Sequence, residues 1–163
     1  MTGGALPCIV RVTGTSPDGT SVTLHSVVET GTSTNGTTAA VANVTPITEM
    51  IVAQLMEAMP ADAFTTFDPQ RITQTALTSA TTTIVDALKT AGVDLGAIDP
   101  LKASLVPATG STTGNTYDQL LDQLGTTVTT ESLPLVINQI AHKANQVWRP
   151  CRDAACEIGQ LCL

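Results

Sequence analysis

Apolar and polar residues alternate at the start of the chain and recur every third or fourth position after residue 45. Residues 8–13 set Cys8, Val10 and Val12 against Ile9, Arg11 and Thr13, the two-residue period of a strand. Residues 21–29 repeat it, with Val22, Leu24 and Val28 on one face and Thr23, His25 and Glu29 on the other. Between them Ser16-Pro17-Asp18-Gly19 is a turn, because Pro fixes φ and Gly accepts φ above zero. The two runs predict a β-hairpin. A lone hairpin is marginal in water and needs a third strand, the following helices or another chain. Residues 30–42 are rich in Gly, Thr, Ser and Asn and read as a linker, with a short extended piece at 39–41.

The helical pattern opens at Thr45, an N-cap residue followed by Pro46 at the first helical position. Ile47, Met50, Ile51, Leu55 and Met59 follow at helical spacing, and Val52 and Met56 widen the stripe. Such width predicts burial on more than one side. Pro60 ends this helix. Asp68-Pro69 repeats the start signal, and Ile72, Ala76, Ala80, Ile84, Ala87, Leu88 and Ala91 form a long stripe stopped by Gly92. Residues 94–113 read as loop with one turn at 101–105. A third helix covers 116–124, with Tyr117, Leu120, Leu121 and Leu124 inward and Gly125 at its end. The last starts near Thr130 or Ser132 and carries Leu133, Val136, Ile137, Ile140, Ala141, Ala144 and Trp148 on one face. The predicted fold is mainly α (α+β): an N-terminal hairpin followed by a bundle of about four helices and a cysteine-stapled tail. The divisions are 1–42 for hairpin and linker, 43–149 for the helical domain, and 150–163 for the tail.

Composition narrows the function. Aromatic residues make up 2% of the 163 positions, so the core is aliphatic and no base-stacking platform exists. The net charge of −7 opposes binding to nucleic acid, which needs clustered Lys and Arg, and to anionic lipid. No apolar run is long enough to span a membrane. Threonine clusters such as Thr81-Thr82-Thr83, with few lysines, point to a secreted or surface protein. Residues 1–7 lack the basic start and apolar core of a signal peptide, so the expectation is a mature piece of an exported protein. Cys8, Cys151, Cys156 and Cys162 are even in number and predict two disulfides in an oxidising compartment. Three pairings are open, and each ties Cys8 to the tail.

Candidate chemistry is sparse. His25 and His142 are the only histidines, and no G-x-S-x-G elbow accompanies them. His25 falls on the polar strand face and His142 on the last helix, so both read as exposed or capping residues. Asp118 and Asp122 lie one helical turn apart, a spacing that serves acid–base or metal chemistry but also any solvated face. The weak catalytic candidates are therefore His142, Asp118 and Asp122. Asp94 and Asp99 read as loop caps rather than calcium ligands. The cysteine spacing lacks the C-x-x-C pairs of a zinc site. No cofactor or metal is expected. Asn43-Val44-Thr45 is formally a glycosylation sequon, but Thr45 is better explained as the helix cap.

Asn43-Val44-Thr45-Pro46-Ile47-Thr48-Glu49-Met50, preceded by Pro7-Cys8-Ile9-Val10-Arg11-Val12, resembles a family of Gram-negative bacterial exported proteins. These are described as lipoproteins or as Ig-like or carboxypeptidase-regulatory-like proteins, in which a small β-sandwich enters a helical block through an N-[IV]-T-P-[IL]-T motif. Ile98-Asp99-Pro100-Leu101 and Tyr117 to Asp122 are similar to that block as well, so the likeness spans residues 7–125. It implies export and a surface or binding role, and brings no catalytic residues. This chain holds only one hairpin of the implied sandwich, which leaves strand edges open to strand addition. The expected function is a non-enzymatic exported structural or binding module of the bacterial cell surface, with a protein partner or self-association. The alternatives are a self-associating subunit of an extracellular assembly, joined through an open strand edge, and a small secreted hydrolase using His142 with Asp118 or Asp122.

Overall fold

The computed structural model describes residues 6–16 and 19–143. The fold is α+β. Strands β1 (Cys8–Thr15) and β2 (Ser21–Val28) pair antiparallel, in a register that sets Cys8 opposite Val28 and Thr15 opposite Ser21. A second, smaller hairpin follows where a linker was expected. Strand β3 (Thr32–Thr34) pairs with β4 (Thr37–Ala39). Its turn is Asn35-Gly36, with φ of 51° and 76°. Two consecutive positive-φ residues make the tight turn that matches strand twist, and Asn-Gly is its strongest sequence signal. The signal was legible between Thr34 and Thr37 but was masked by the Gly/Thr-rich composition around it.

Helix α1 (Pro46–Met56) is the centre of the molecule. It packs against β2, a short helix α2 (Pro60–Thr65), α3 (Gln74–Thr90) and α5 (Leu133–Lys143). Nine of its residues are buried, including Thr48 and Glu49, as its wide stripe predicted. Helix α2 was not anticipated: α1 stops at Met56 with Glu57 in the left-handed conformation at φ 51°, and Pro60, expected only to end α1, starts the next helix at its first position. The Asp68-Pro69 signal opens only one turn of 3-10 helix, Pro69–Arg71, with the Asp68 side chain accepting from Gln70 N at 3.0 Å. Thr73 then caps α3 separately by accepting from Ala76 N at 3.1 Å. The buried stripe of α3 is Leu77, Ala80, Ile84 and Leu88; Ala87 and Ala91 are exposed.

Helix α3 ends at Gly92, whose φ is +93°. Gly92 N donates to Lys89 O at 3.0 Å and Val93 N to Leu88 O at 2.8 Å, the paired bonds that satisfy the last carbonyls of a helix. A side chain is strained at that φ. Gly92→Ala is expected to destabilise the protein by about 1–2 kcal/mol, read as a lower midpoint in urea unfolding.

Helix α4 (Thr116–Thr127) runs through Gly125, three residues beyond the predicted end. Val128 N still donates to Leu124 O at 2.7 Å, so glycine is carried inside the last turn rather than stopping it. Five α-helices thus stand among the described residues. No helix of these is long and apolar enough to cross a membrane.

The hairpin and the helices share one hydrophobic cluster, in which Ile9 and Val27 join Ile47, Ile51, Leu77, Ile84, Tyr117 and Ile137. The hairpin's alternation does not set its burial. Val12 is 49% exposed, while Ile9, on the face read as polar, is buried. At the inner end of β2, His25, Ser26, Val27 and Val28 are all buried. Burial there follows distance from α1 along the strand, not the face of the pleat, because α1 covers the end of the hairpin rather than one side.

Candidate functional site

The N-terminus of α1 gathers most of the buried polar groups. Thr45 accepts from Thr48 N at 3.3 Å, and Thr48 Oγ1 accepts from Thr45 N at 2.9 Å. This reciprocal capping box satisfies two of the helix's unbonded amides. The Thr48 hydroxyl also donates to His25 O at 2.9 Å. One residue on, the Glu49 carboxylate accepts from the His25 backbone N–H and faces the His25 ring, with Nδ1 3.0 Å from Oε2 and 3.2 Å from Oε1. Both backbone groups of His25 are therefore bonded to α1. On the other flank, Tyr117 donates to Pro100 O at 2.8 Å and its hydroxyl lies 3.4 Å from Thr45 Oγ1. Asn43 Nδ2 donates to Ala103 O at 2.8 Å and Asn43 N to Leu101 O at 3.0 Å.

Each polar position of the Asn43 to Glu49 segment thus has a partner. Asn43 holds the 100–103 turn, Thr45 caps, Thr48 and Glu49 hold β2. The sequon is spent on this framework: the Asn43 amide is bonded to carbonyls and Thr45 is buried.

His25 corrects the expectation of an exposed residue. It is 1% exposed. Its ring lies 5.8 Å from that of Phe64 on α2, and the Arg11 guanidinium stacks 4.4 Å from the same Phe64 ring. Burial pushes the Glu49 carboxyl above the usual glutamate range, opposed by the His25 ring and by its hydrogen bonds. His25 Nε2 and Ser26 Oγ are buried, with no hydrogen-bond partner among the described residues. They are not a nucleophile–base pair, because successive strand side chains point to opposite faces. The arrangement is a latch between hairpin and helix. Sequence reasoning missed it because the two residues lie far apart in the chain; the available signal was Glu49, an acid flanked by Ile47, Met50 and Ile51 inside an apolar stripe.

The residues singled out as weak catalytic candidates do not converge. His142 is exposed, with Nδ1 2.8 Å from Asn138 O of its own helix. Asp118 accepts from Ala108 N at 2.9 Å, holding the loop before α4. Asp122 is exposed. No hydrogen bond or ion pair joins His142 to either aspartate among the described residues. Asp94 accepts from Gly96 N at 2.9 Å and pairs with Lys89 at 3.0 Å; these bonds, the amide first, hold it below the usual aspartate range. Asp99 accepts from Leu101 N at 2.9 Å. Both aspartates cap loops. No group of three or more His, Cys, Asp or Glu side chains is placed to hold a metal among the described residues.

Cys8 has no disulfide partner among the described residues, and burial pushes its thiol up in pKa. No disulfide is present among the described residues, and Cys151, Cys156, Cys162, Ala144 and Trp148 lie outside them.

Two clefts are relevant. One, of about 350 Å³, is lined by Val22, Leu24, Met59, Leu133 and Ile137, with Glu49 its only ionisable lining residue. Both oxygens of that carboxylate face His25, so it is not free to serve a ligand. The other, of about 260 Å³, is lined by Met50, Ile84, Leu88, Leu124 and Ile140 and has no ionisable group. It is a gap between helices and offers no chemistry.

The remaining feature is the outer edge of β1. The backbone groups of His25 both point away from β1, toward α1. In an antiparallel ladder, the residue opposite such a position also turns its N–H and C=O outward. That residue is Arg11. By alternation, Ile9, Arg11, Thr13 and Thr15 all present N–H and C=O groups along the free side. Residues 11–15 are exposed, and no hydrogen bond of the described residues reaches these outward groups. α1 covers the edge of β2 at His25; among the described residues nothing covers the edge of β1.

No family model matches the chain, and no curated protein or solved structure matches it.

Proposed function

We propose that this chain is an exported, non-enzymatic binding module that takes up a partner strand along β1. The carrying observation is the outer edge of β1, left uncovered among the described residues, with five of the strand's eight residues exposed. An unpaired edge supplies a row of donors and acceptors, and an added strand binds through them while alternate side chains set specificity. The edge lacks most devices that block such pairing: it holds no Pro, no Lys and no bulge between Cys8 and Thr15, and Arg11 is its one charge. The latch at His25 serves this role by holding β2, and through it β1, against the helical block. Export and a cell-surface setting rest on the Thr-rich acidic composition and on the likeness of residues 7–125 to exported bacterial proteins.

Amide hydrogen exchange tests the reading. In the monomer, the outward amides of Arg11 and Thr13 are expected to exchange fast, while those of Val10 and Val12, bonded to β2, exchange slowly. Slow exchange at Arg11 and Thr13 in a sample of monomer mass would mean the chain already covers its own edge, and would overturn the proposal.

A further inference from the structure

We infer that the strand received by β1 is β1 of a second copy, paired antiparallel about a twofold axis at Val12. The inference rests on the proposed open edge and adds the partner and the register.

Charge selects the partner. The chain carries −7 overall, so most contacts between copies oppose carboxylates. Neither β1 nor β2 contains an acidic residue, and Arg11 is the only charged side chain on β1. The hairpin edge is where two copies meet with no carboxylates apposed.

Parity selects the register. Outward hydrogen-bonding groups belong to odd-numbered residues, so only registers that pair odd with odd are allowed. An axis at Arg11 sets two guanidinium groups directly opposite, which is destabilising. An axis at Thr13 leaves Val12 facing Gly14. An axis at Val10 calls on Pro7, which has no N–H to donate. An axis at Val12 pairs Arg11 with Thr13 of the copy and Ile9 with Thr15, each pair exchanging two backbone bonds. It brings Val12 against Val12 at a non-hydrogen-bonded site, where side chains approach closest. Val12 is a large apolar residue left 49% exposed, and this contact covers it. The product is a four-stranded sheet. That answers the weakness of a two-stranded hairpin, which gains independent stability only with a third strand or a packed partner. Such a twofold contact is closed, so it yields a dimer and not a fibre.

The test is light scattering on the full chain, in reductant so that thiols do not link copies, over a range of concentrations. A twofold rise in mass is expected, with exchange at Arg11 and Thr13 slowing as the mass rises. Val12→Lys and Thr13→Pro are each expected to return the monomer mass with an unchanged circular dichroism spectrum. Thr13→Pro removes a donor that β2 does not use, and Val12→Lys keeps every backbone group, so either serves if the other misfolds. A monomer mass at every concentration overturns the inference; if Arg11 and Thr13 then exchange fast, the open-edge reading survives without it, and if they exchange slowly both fall. A dimer that persists in both folded variants also overturns it, since the contact then lies elsewhere.

Discussion

Replacing Glu49 with alanine is expected to destabilise the protein by about 2–6 kcal/mol, because two buried hydrogen-bonding groups of His25 lose their partner at about 1–3 kcal/mol each. The carboxylate accepts from the His25 backbone and faces its ring nitrogen, and His25 is 1% exposed. Truncation leaves two buried polar groups with nothing to bond. Much of the loss is the desolvation of groups that water does not reach. A domain of this size has about 5–15 kcal/mol of stability in all, so the variant sits near the threshold of folding. A double replacement separates latch strength from the cost of an orphaned partner. His25→Phe with Glu49→Leu removes both polar side chains, leaving only the His25 backbone N–H to find water. It is expected to recover a large part of the loss, because apolar replacement of a buried pair is often neutral. Urea unfolding of the two single variants and the double closes the cycle. A Glu49→Ala loss under about 1 kcal/mol would mean that the carboxylate does not hold the strand.

The same residue sets a pH dependence with a definite sign. Burial, the largest influence, raises the Glu49 pKa in the folded state. A raised acid pKa means the fold binds that proton more tightly than the unfolded chain does. The contribution of Glu49 is then fully present below the usual glutamate range and is lost as pH rises through its raised value. The titratable group facing it is His25. The stability difference between wild type and Glu49→Gln is therefore expected to shrink as pH rises across that interval. A difference that grows with pH would show that attraction to His25 outweighs burial.

How much of this was legible depends on the kind of signal. Local signals held where one residue sufficed. Thr45-Pro46 marked the start of α1 and Gly92 the end of α3 because caps are satisfied by neighbours in sequence. Periodicity marked α1 for burial on more than one side, since an apolar stripe wider than one face has to be covered on several sides. It failed on the hairpin, where Ile9 is buried and Val12 exposed against the pattern. The alternation records which residues share a face, but not where along the strand a helix lands. The latch was unreadable for a related reason. His25 and Glu49 are polar residues that periodicity assigns to solvent, and only the docking of α1 on β2 brings them together. The edge of β1, uncovered among the described residues, was the opposite case: two alternating runs without a third pointed to it.

Ile51→Ala is expected to cost about 3–5 kcal/mol, the upper part of the range for truncating a buried Ile. Ile51 is 0% exposed and lies at the middle of α1, which contacts β2, α2, α3 and α5. The cost of such a truncation depends on how far the surroundings collapse into the space left. Here they have little freedom. The N-terminus of α1 is fixed by Thr45 and Thr48, its link to β2 by Glu49, and Asn43 ties the segment just before it to the 100–103 turn. Tyr117, the ring in the same cluster, is held in place by its hydroxyl's bond to Pro100 O. The cavity therefore stays open, and the loss exceeds that of the transferred methylenes alone. Leu135→Ala is the matched control: Leu135 is 69% exposed, and its truncation is expected to shift stability by less than about 0.5 kcal/mol. Chemical denaturation of both variants checks the pair. Equal losses would mean that α1 is not the helix around which the others pack. A large loss at Ile51 together with unchanged exchange rates at Val10 and Val12, whose amides bond β2, would show that the core and the hairpin are stabilised separately.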